Sequence, residues 1–82
     1  MKDFAYVYIL ASQENRAIHY TGITRDLEQR LLEHNQGNCA HTSQRRPWRI
    51  EAAIAFKSGR KARAFETYFK SGSGREFARR HF

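Results

Sequence analysis

The sequence of 82 residues contains one cysteine, one proline and no long apolar run. Cys39 has no partner for an internal disulfide and no neighbouring ligands for a zinc site, which favours a reduced, cytoplasmic setting. No apolar stretch approaches the length of a membrane span, so a membrane protein is not expected. The stretch after Met1-Lys2-Asp3 is too short and too regularly alternating for a signal peptide. Repeats, low-complexity tracts and linkers are also missing, and we predict one domain over residues 1–82.

Acidic residues are few relative to basic ones, because 15 Lys and Arg face 8 Asp and Glu, a formal net charge of +7. The excess is uneven: residues 1–56 hold seven basic and six acidic groups, whereas residues 57–82 hold eight basic and two acidic. Arginine outnumbers lysine, and its planar guanidinium suits phosphate oxygens. The balance favours a polyanionic partner, most often nucleic acid, over the alternative of a basic but merely solvated surface. Nothing in the sequence indicates a small-molecule cofactor.

Three segments have the period-two pattern of strands. Residues 4–10 alternate, residues 17–22 follow as the second strand of a hairpin, and residues 48–56 alternate again. The polar residues 38–47 end at the sole proline and predict a loop. In the third strand we expect one set of side chains to face a single core: Trp48, Ile50, Ala52, Ile54 and Phe56.

Start and stop signals predict three helices. The first begins at Thr24 as its N-cap and stops at Gly37, with a buried stripe of Leu27, Leu31 and His34. The second begins at Ser58, buries Ala62, Phe65 and Phe69, and is broken by residues 71–74. A last short helix carries Phe77 and Ala78 inward. The order β-β-α-β-α-α predicts an α+β domain with a small three-stranded sheet, mixed or antiparallel, flanked by helices.

Five polar side chains form a combination that suits phosphodiester hydrolysis, which needs an activated water, a cation and phosphate donors. Tyr8 and Tyr20 lie on strands that we expect to pair. Arg30 and His34 share one helix face at i and i+4. Glu66 is flanked by apolar residues, so its carboxylate needs a partner, and a hard divalent ion is one candidate. On the residues alone, the alternatives are core aromatics, a solvated helix face and an exposed helical ion pair.

The order of the short motifs resembles that of the GIY-YIG nuclease superfamily. Tyr6-Val7-Tyr8 and His19-Tyr20-Thr21-Gly22 are similar to its paired motif. Residues 24–31, the His-Asn pair at 34–35, Pro47-Trp48 and the helix that contains Glu66 follow in the expected order. The similarity covers about residues 4–80 and is greatest to the compact, stand-alone branch of small endonuclease-like proteins. Tyr-x-Gly alone carries little information, whereas the ordered set is fairly specific.

The resemblance implies a role for each candidate. Tyr20 would activate the attacking water, and Tyr8 would orient that group or the phosphate. Arg30 would bind the scissile phosphate, and His34 would assist proton transfer or contact the phosphate. Glu66 would be the only protein ligand of one divalent cation, Mg²⁺ or Mn²⁺, with water and phosphate oxygens completing the coordination. DNA as the substrate also follows from the resemblance.

The sequence departs from the family pattern at four positions. Tyr6 replaces the glycine of the first half-motif, and Thr21 replaces the aliphatic residue of the second. Ile23 and Ala78 stand where some members have a lysine and an asparagine. Three residues remain as possible substitutes for those contacts: Lys70, Thr42 and Asn35.

Further basic residues are expected to hold phosphates that flank the site: Arg45, Arg46, Arg49, Lys70, Arg75, Arg79 and Arg80. Because phosphate contacts position a substrate without specifying its sequence, we expect a metal-dependent DNA endonuclease that selects structure rather than sequence. One alternative is a non-catalytic, basic nucleic-acid-binding module on the same fold. A second is a small basic interaction protein in which the tyrosines only pack.

Overall fold

The structure, a computed structural model, describes residues 3–81, apart from the side chains of Arg75 and Ala78. The predicted order β-β-α-β-α-α is confirmed, with one 3₁₀ turn in the loop before the third strand. Among these residues, no helix has the length and apolar character needed to cross a lipid bilayer. The elements are β1 (Ala5–Ser12), β2 (His19–Thr24), α1 (Leu27–Asn35), the 3₁₀ turn (Ser43–Arg45), β3 (Trp48–Phe56), α2 (Gly59–Phe69) and α3 (Gly72–His81).

The three strands form an antiparallel sheet in the order β2-β1-β3. The hairpin register places Tyr8 opposite Gly22 and Leu10 opposite Tyr20. Because β1 is the central strand, it is buried on both faces: Val7, Tyr8 and Leu10 are each at most 2% exposed. The α+β class and the antiparallel sheet are therefore as predicted.

The expectation that β3 turns one apolar face to a single core is wrong. Ile9 pairs with Ala52 but Leu10 pairs with Ile50, so Glu51 is an extra residue in β3. Such a β-bulge shifts the register by one, and a shift of one residue moves side chains to the other face. The apolar residues of β3 before the bulge therefore project from one face of the sheet, and those after it project from the other.

Each face of the sheet has its own apolar cluster and its own helix. The face covered by α1 carries Tyr8, Leu10 and Trp48, packed with Ile18, Tyr20, Leu27, Leu31 and Ile50. The face covered by α2 carries Ala5, Val7 and Ala62, packed with Ile23, Phe56 and Phe65. Burying one large apolar side chain contributes about 1.5–3 kcal/mol, so both clusters are needed to stabilise so short a chain.

The N-cap of α1 is Asp26 rather than Thr24. The Asp26 carboxylate accepts a hydrogen bond from the Gln29 backbone N–H at 3.1 Å. Thr24 instead accepts from the backbone N–H of Asp26 at 3.1 Å and so shapes the turn before the helix. Gly37 ends α1 as predicted: its φ is +83°, and its N–H donates to the His34 carbonyl at 3.2 Å.

Helix α2 begins at its predicted cap, because the Ser58 hydroxyl accepts from the Lys61 backbone N–H at 3.2 Å. Residues 71–74 do not separate the last two helices as expected, since α3 already begins at Gly72. The Ser71 hydroxyl accepts from the Gly74 backbone N–H at 3.2 Å and caps α3 despite the two glycines. Phe77 packs on Phe69 but stays 36% exposed, and the side chain of Ala78 lies outside the described residues.

Candidate active site

The hydroxyl of Tyr8 lies between two side chains of α1. It is 2.9 Å from Nε2 of His34, and it accepts a hydrogen bond from Nε of Arg30 at 3.3 Å. Tyr8 is 2% exposed. Burial raises the pKa of Tyr8, and the bond from Arg30 opposes part of that shift. Tyr8 therefore presents a neutral hydroxyl that links β1 to α1.

His34 is fully buried beneath the two tyrosines. Its second nitrogen, Nδ1, is 2.8 Å from the Oγ1 atom of Thr42, and the Tyr20 ring centroid is 5.1 Å from that of His34. Burial lowers the pKa of His34, and the nearby positive charge of Arg30 lowers it further. The imidazole is therefore neutral at physiological pH, and the alternative of a solvated helix face does not apply to it.

Tyr20 is half-buried at the edge of this cluster. Its strand, β2, is an edge strand of the sheet, and its ring packs on His34. Within the described residues, its hydroxyl has no hydrogen-bond partner, in contrast to the hydroxyl of Tyr8. Of the two tyrosines, Tyr20 is thus the one whose hydroxyl is available to a ligand.

Gly22 gives Tyr8 the space for its ring. A Cβ atom on Gly22 would lie 2.4 Å from the Tyr8 hydroxyl oxygen and 2.6 Å from the ring carbon that carries it. Both distances are far below a van der Waals contact. The Tyr-x-Gly motif therefore has a steric basis, in that its glycine admits the tyrosine of the first half-motif.

Arg30 is held by two partners at once. Its Nε donates to Tyr8, and its NH1 group donates to the Glu33 carboxylate at 2.8 Å. Both side chains of the Arg30–Glu33 pair are about one-third exposed, at 34% and 32%. Hydrogen bonds to Glu33 and then Tyr8 raise the pKa of Arg30, and the bond from Arg30 lowers the pKa of Glu33. Glu33 was not singled out from the sequence, although its i, i+3 spacing from Arg30 was a usable signal.

Glu66 lies on α2, and its carboxylate forms an ion pair with Lys70 at 3.2 Å. The Glu66 side chain is 17% exposed. Helix α2 covers the face of the sheet opposite to the one from which Tyr8 projects. Among the described contacts, no hydrogen bond or ion pair joins Glu66 to Tyr8, Tyr20, Arg30 or His34. The structure thus brings four of the five candidates together, and the approach of Glu66 to them remains a prediction.

Two of the proposed substitutes for missing family contacts are engaged within the fold. Asn35 donates to the Trp48 carbonyl at 3.0 Å and accepts from the Trp48 N–H at 2.6 Å, which joins α1 to β3. Thr42 is fully buried between His34 and the carbonyl of Cys39. The role of Thr42 in holding His34 had no local signal in the sequence, because it depends on how the loop folds back.

The basic residues expected to hold flanking phosphates already have partners inside the chain. Arg45 pairs with Glu14 at 3.6 Å, and Arg46 donates to the Ser43 carbonyl at 2.7 Å. The remaining pairs are Arg49 with Glu51, Lys70 with Glu66, and both Arg79 and Arg80 with Glu76. The side chain of Arg75 lies outside the described residues. Exposed ion pairs contribute little stability, so a phosphate could displace them, and these contacts stay predictions.

Comparison with models of protein families gives a match to the GIY-YIG catalytic domain over residues 4–79. The chain belongs to the GIY-YIG family. The membership predicted from the paired tyrosine motifs is confirmed, and with it the relation to a superfamily of nucleases. In this GIY-YIG domain, Ile23 packs toward α2 rather than toward Tyr8.

Two relatives from Bacillus species are similar to this chain over most of its length. A UPF0213 protein of Bacillus licheniformis is 36% identical over 66 residues, which are 79% of this chain and 66% of that protein. The UPF0213 protein YazA of Bacillus subtilis is also 36% identical, over 79% of this chain and 65% of its own length. This GIY-YIG chain therefore spans just under two-thirds of the length of these relatives.

A solved structure has the same fold. The solution NMR structure of a UPF0213 protein from Bacillus halodurans superposes with a TM-score of 0.55 at 34% sequence identity. The match covers 93% of this chain and 80% of that one. The element order of this GIY-YIG domain is thus shared with an experimentally determined relative.

Proposed function

We propose that this GIY-YIG domain hydrolyses phosphodiester bonds of DNA with the help of one divalent cation. The observation that carries the proposal is the Tyr8 hydroxyl, held by both Arg30 and His34 beneath the ring of Tyr20. This network of hydrogen bonds and ring contacts joins both tyrosines of the paired motif to two side chains of α1. It orders the groups that the reaction needs.

Arg30 is the phosphate-binding group in this proposal. Its Nε and NH1 groups are fixed by Tyr8 and Glu33, whereas NH2 has no partner among the described residues. A guanidinium with one free edge can bind a phosphate oxygen and offset the charge that develops on it. Because Arg30 is about one-third exposed, that edge can be reached from solvent.

The two tyrosines have different tasks. The hydroxyl of Tyr8 is engaged, and burial disfavours its ionised form, so Tyr8 positions Arg30 and His34. Tyr20, whose hydroxyl has no hydrogen-bond partner among the described residues, is the proposed general base. In the reactive form its phenol oxygen has released its own proton to solvent and takes one from the attacking water.

Glu66 is the proposed protein ligand of the cation. The described residues contain no group of three or more His, Cys, Asp or Glu that could hold a metal. The single carboxylate of Glu66, only 17% exposed, fits Mg²⁺ or Mn²⁺, which commonly bind through one or two carboxylates with water and substrate phosphate. When bound, the cation supplies Lewis-acid stabilisation of the phosphate. It would displace Lys70 from Glu66, and Lys70 could then contact the substrate.

Cleavage of labelled DNA tests the proposal. Single-stranded, duplex, nicked and branched substrates are incubated with Mg²⁺, with Mn²⁺ and with a chelator. We expect metal-dependent cleavage by the wild type and a loss of about 10²- to 10⁴-fold in Tyr20→Phe and in Glu66→Gln. The matched controls Tyr68→Phe and Glu76→Gln make the same chemical changes on α2 and α3, outside the site, and should retain activity.

Two results would contradict the proposal. Cleavage that persists in both Tyr20→Phe and Glu66→Gln would assign the activity to other residues or to a contaminant. Tight DNA binding without cleavage under any metal condition would favour the non-catalytic binding module. Titration with paramagnetic Mn²⁺ adds a test of geometry, since it should broaden NMR signals of both Glu66 and Tyr20 in the wild type and neither in Glu66→Gln.

A further inference from the structure

Two arginines from distant parts of the sequence line one open cleft. The cleft lies where β2 ends and α2 begins, and its volume is about 200 Å³. Arg25 and Arg63 lie at its walls beside Thr24 and Gly59, with Ala5 and Ile23 also lining it. The described residues that line this cleft include no carboxylate, so two positive side chains face it without an acidic partner among them.

The two arginines differ from the basic residues that the sequence pointed to. Arg45, Lys70 and Arg79 each form an intramolecular ion pair. Among the described residues, the guanidinium groups of Arg25 and Arg63 have no hydrogen bond or ion pair. Like charges brought to one cleft without compensation repel each other, and an anion would relieve that repulsion.

The backbone beside the cleft also favours an anion. A Cβ atom on Gly59 would lie 3.1 Å from a terminal nitrogen of Arg25, so glycine allows the guanidinium to approach the first turn of α2 closely. The N–H groups of Gly59 and Arg60 precede the first hydrogen bonds of that helix, which run from Lys61 and Ala62 to Ser58. The helix start adds positive partial charge to the charge of the arginines.

We propose that the cleft between Arg25 and Arg63 binds a backbone phosphate of the nucleic acid on the α2 side of the sheet, near the proposed cation ligand Glu66. That position rests on the proposed function. Arg63 precedes Glu66 by three residues on α2, a rise of about 4.5 Å along the helix. A strand that reaches the carboxylate of Glu66 therefore passes close to the cleft. Two planar guanidinium groups from different directions suit phosphate oxygens, and the described lining of the cleft includes no aromatic ring on which a base could stack.

Binding measured without cleavage tests this site. Fluorescence anisotropy of a labelled oligonucleotide in excess chelator compares the wild type with Arg25→Gln, Arg63→Gln and the double variant. Each single change should weaken binding about three- to tenfold and reduce the slope of log affinity against log salt by about one. Lys61→Gln removes the same charge from the same helix turn but not from the cleft, so its affinity should change less than twofold. Arg25→Lys keeps the charge and should recover part of the loss.

A second measurement identifies the ligand. Inorganic phosphate added to the wild-type protein should shift the NMR signals of Thr24 and Gly59, and the double variant should lose those shifts. The site is refuted if Arg25→Gln and Arg63→Gln bind DNA as Lys61→Gln does, or if a polyglutamate peptide of equal charge binds as tightly. If the protein cleaves DNA but fails this binding test, only the proposal for the cleft is overturned. If it does not cleave DNA but shows the expected binding losses, only the nuclease proposal is overturned.

Discussion

Nδ1 of His34 lies 2.8 Å from Oγ1 of Thr42, and this contact determines which nitrogen of the imidazole carries the proton. The Thr42 hydroxyl donates to the Cys39 carbonyl at 3.3 Å, so its oxygen is free to accept from Nδ1–H of His34. In a neutral imidazole, Nε2 then has a lone pair and accepts from the Tyr8 hydroxyl. Arg30 in turn donates to the Tyr8 oxygen. A loop threonine therefore sets the direction of the hydrogen bonds at both ring nitrogens of His34.

Replacement of Thr42 by valine tests that direction. Valine matches the shape of threonine but has no hydroxyl, which leaves Nδ1–H of His34 buried without an acceptor. We expect a loss of about 1–3 kcal/mol in the free energy of unfolding, measured by urea denaturation. If DNA is cleaved as proposed, the rate constant kcat should also fall at least tenfold with little change in KM, because the other imidazole tautomer cannot accept from Tyr8.

Two companion variants separate this effect from general damage to the loop. Thr42→Ser restores the hydroxyl and should recover most of the stability and activity. Ser43→Ala removes a neighbouring hydroxyl whose one partner among the described residues is the Ala40 carbonyl at the surface, and it should be close to neutral. Equal behaviour of Thr42→Val and Thr42→Ser would show that the hydroxyl does not orient His34. Imidazole ¹⁵N shifts report the tautomer directly.

Acid should destabilise the fold through His34. Burial and Arg30 lower the folded-state pKa of His34 below its ordinary value of about 6.5, although Glu33 opposes part of this shift. The unfolded chain therefore takes up a proton at a higher pH than the folded chain. The free energy of unfolding therefore decreases as the pH falls below about 6.5, with a slope of at most about 1.4 kcal/mol per pH unit. Urea denaturation at successive pH values between 7.5 and 5 measures that slope.

Histidine variants assign the pH dependence to one residue. His34→Gln should be less stable at neutral pH, and its stability should lose the slope between pH 6.5 and 5. His41→Gln, at an exposed loop position, should keep the wild-type slope. An unchanged slope in His34→Gln would show that another group is responsible.

Gly22→Ala should destabilise the domain by pushing the ring of Tyr8 out of place. The new Cβ would lie 2.4 Å from the Tyr8 hydroxyl, and the buried ring is held by bonds to His34 and Arg30. Overpacking of this kind costs about 1–3 kcal/mol. Thermal and urea denaturation measure the loss, and a less-than-additive effect in combination with Tyr8→Leu would locate it at this contact.

A second glycine provides the control for that change. Gly72 lies in the first turn of α3, and a Cβ there meets nothing within 4 Å. Gly72→Ala should therefore be neutral or stabilise the domain by up to about 1 kcal/mol, because alanine restricts the unfolded chain. If Gly22→Ala were as well tolerated as Gly72→Ala, the steric reading of the Tyr-x-Gly motif would be wrong.

Local patterns predicted most of the fold, and the errors fall where distant contacts decide. The stop at Gly37 and the cap at Ser58 depend on neighbouring residues only, so the sequence contained enough information. Thr24 and Asp26 are both good N-caps, and only the backbone conformation selects Asp26. The bulge at Glu51 is invisible in β3 alone, because apolar residues alternate straight through it and only the pairing with β1 reveals the change of face.

The same distinction applies to the site. The i, i+4 spacing of Arg30 and His34 and the hairpin between the tyrosine strands were compatible with a group around Tyr8, but the residues alone left other interpretations open, and the resemblance to the GIY-YIG superfamily was needed to predict it. Thr42 was not predicted as a partner of His34, since it acts across a loop whose path is fixed by contacts such as that between Trp48 Nε1 and the Thr42 carbonyl at 2.8 Å. The cleft of Arg25 and Arg63 likewise depends on how α2 docks on the sheet.

Glu33 should restrain Arg30 in two separable ways, by its charge and by its oxygen atoms. Glu33→Gln keeps an acceptor for the NH1 group of Arg30 but removes the negative charge, so DNA affinity should rise about fivefold with kcat nearly unchanged. Glu33→Ala removes both the charge and the acceptor, so DNA affinity should rise while kcat falls about tenfold as Arg30 loses its orientation. Fluorescence anisotropy measures the affinity, and steady-state cleavage assays measure kcat.

Glu28→Gln is the control, because it makes an equal charge change on the first turn of α1 and measures the general electrostatic gain in affinity. A Glu33→Ala protein with wild-type kcat would refute the orienting role, and a gain in Glu33→Gln no larger than in Glu28→Gln would refute a local effect of the Glu33 charge on phosphate binding.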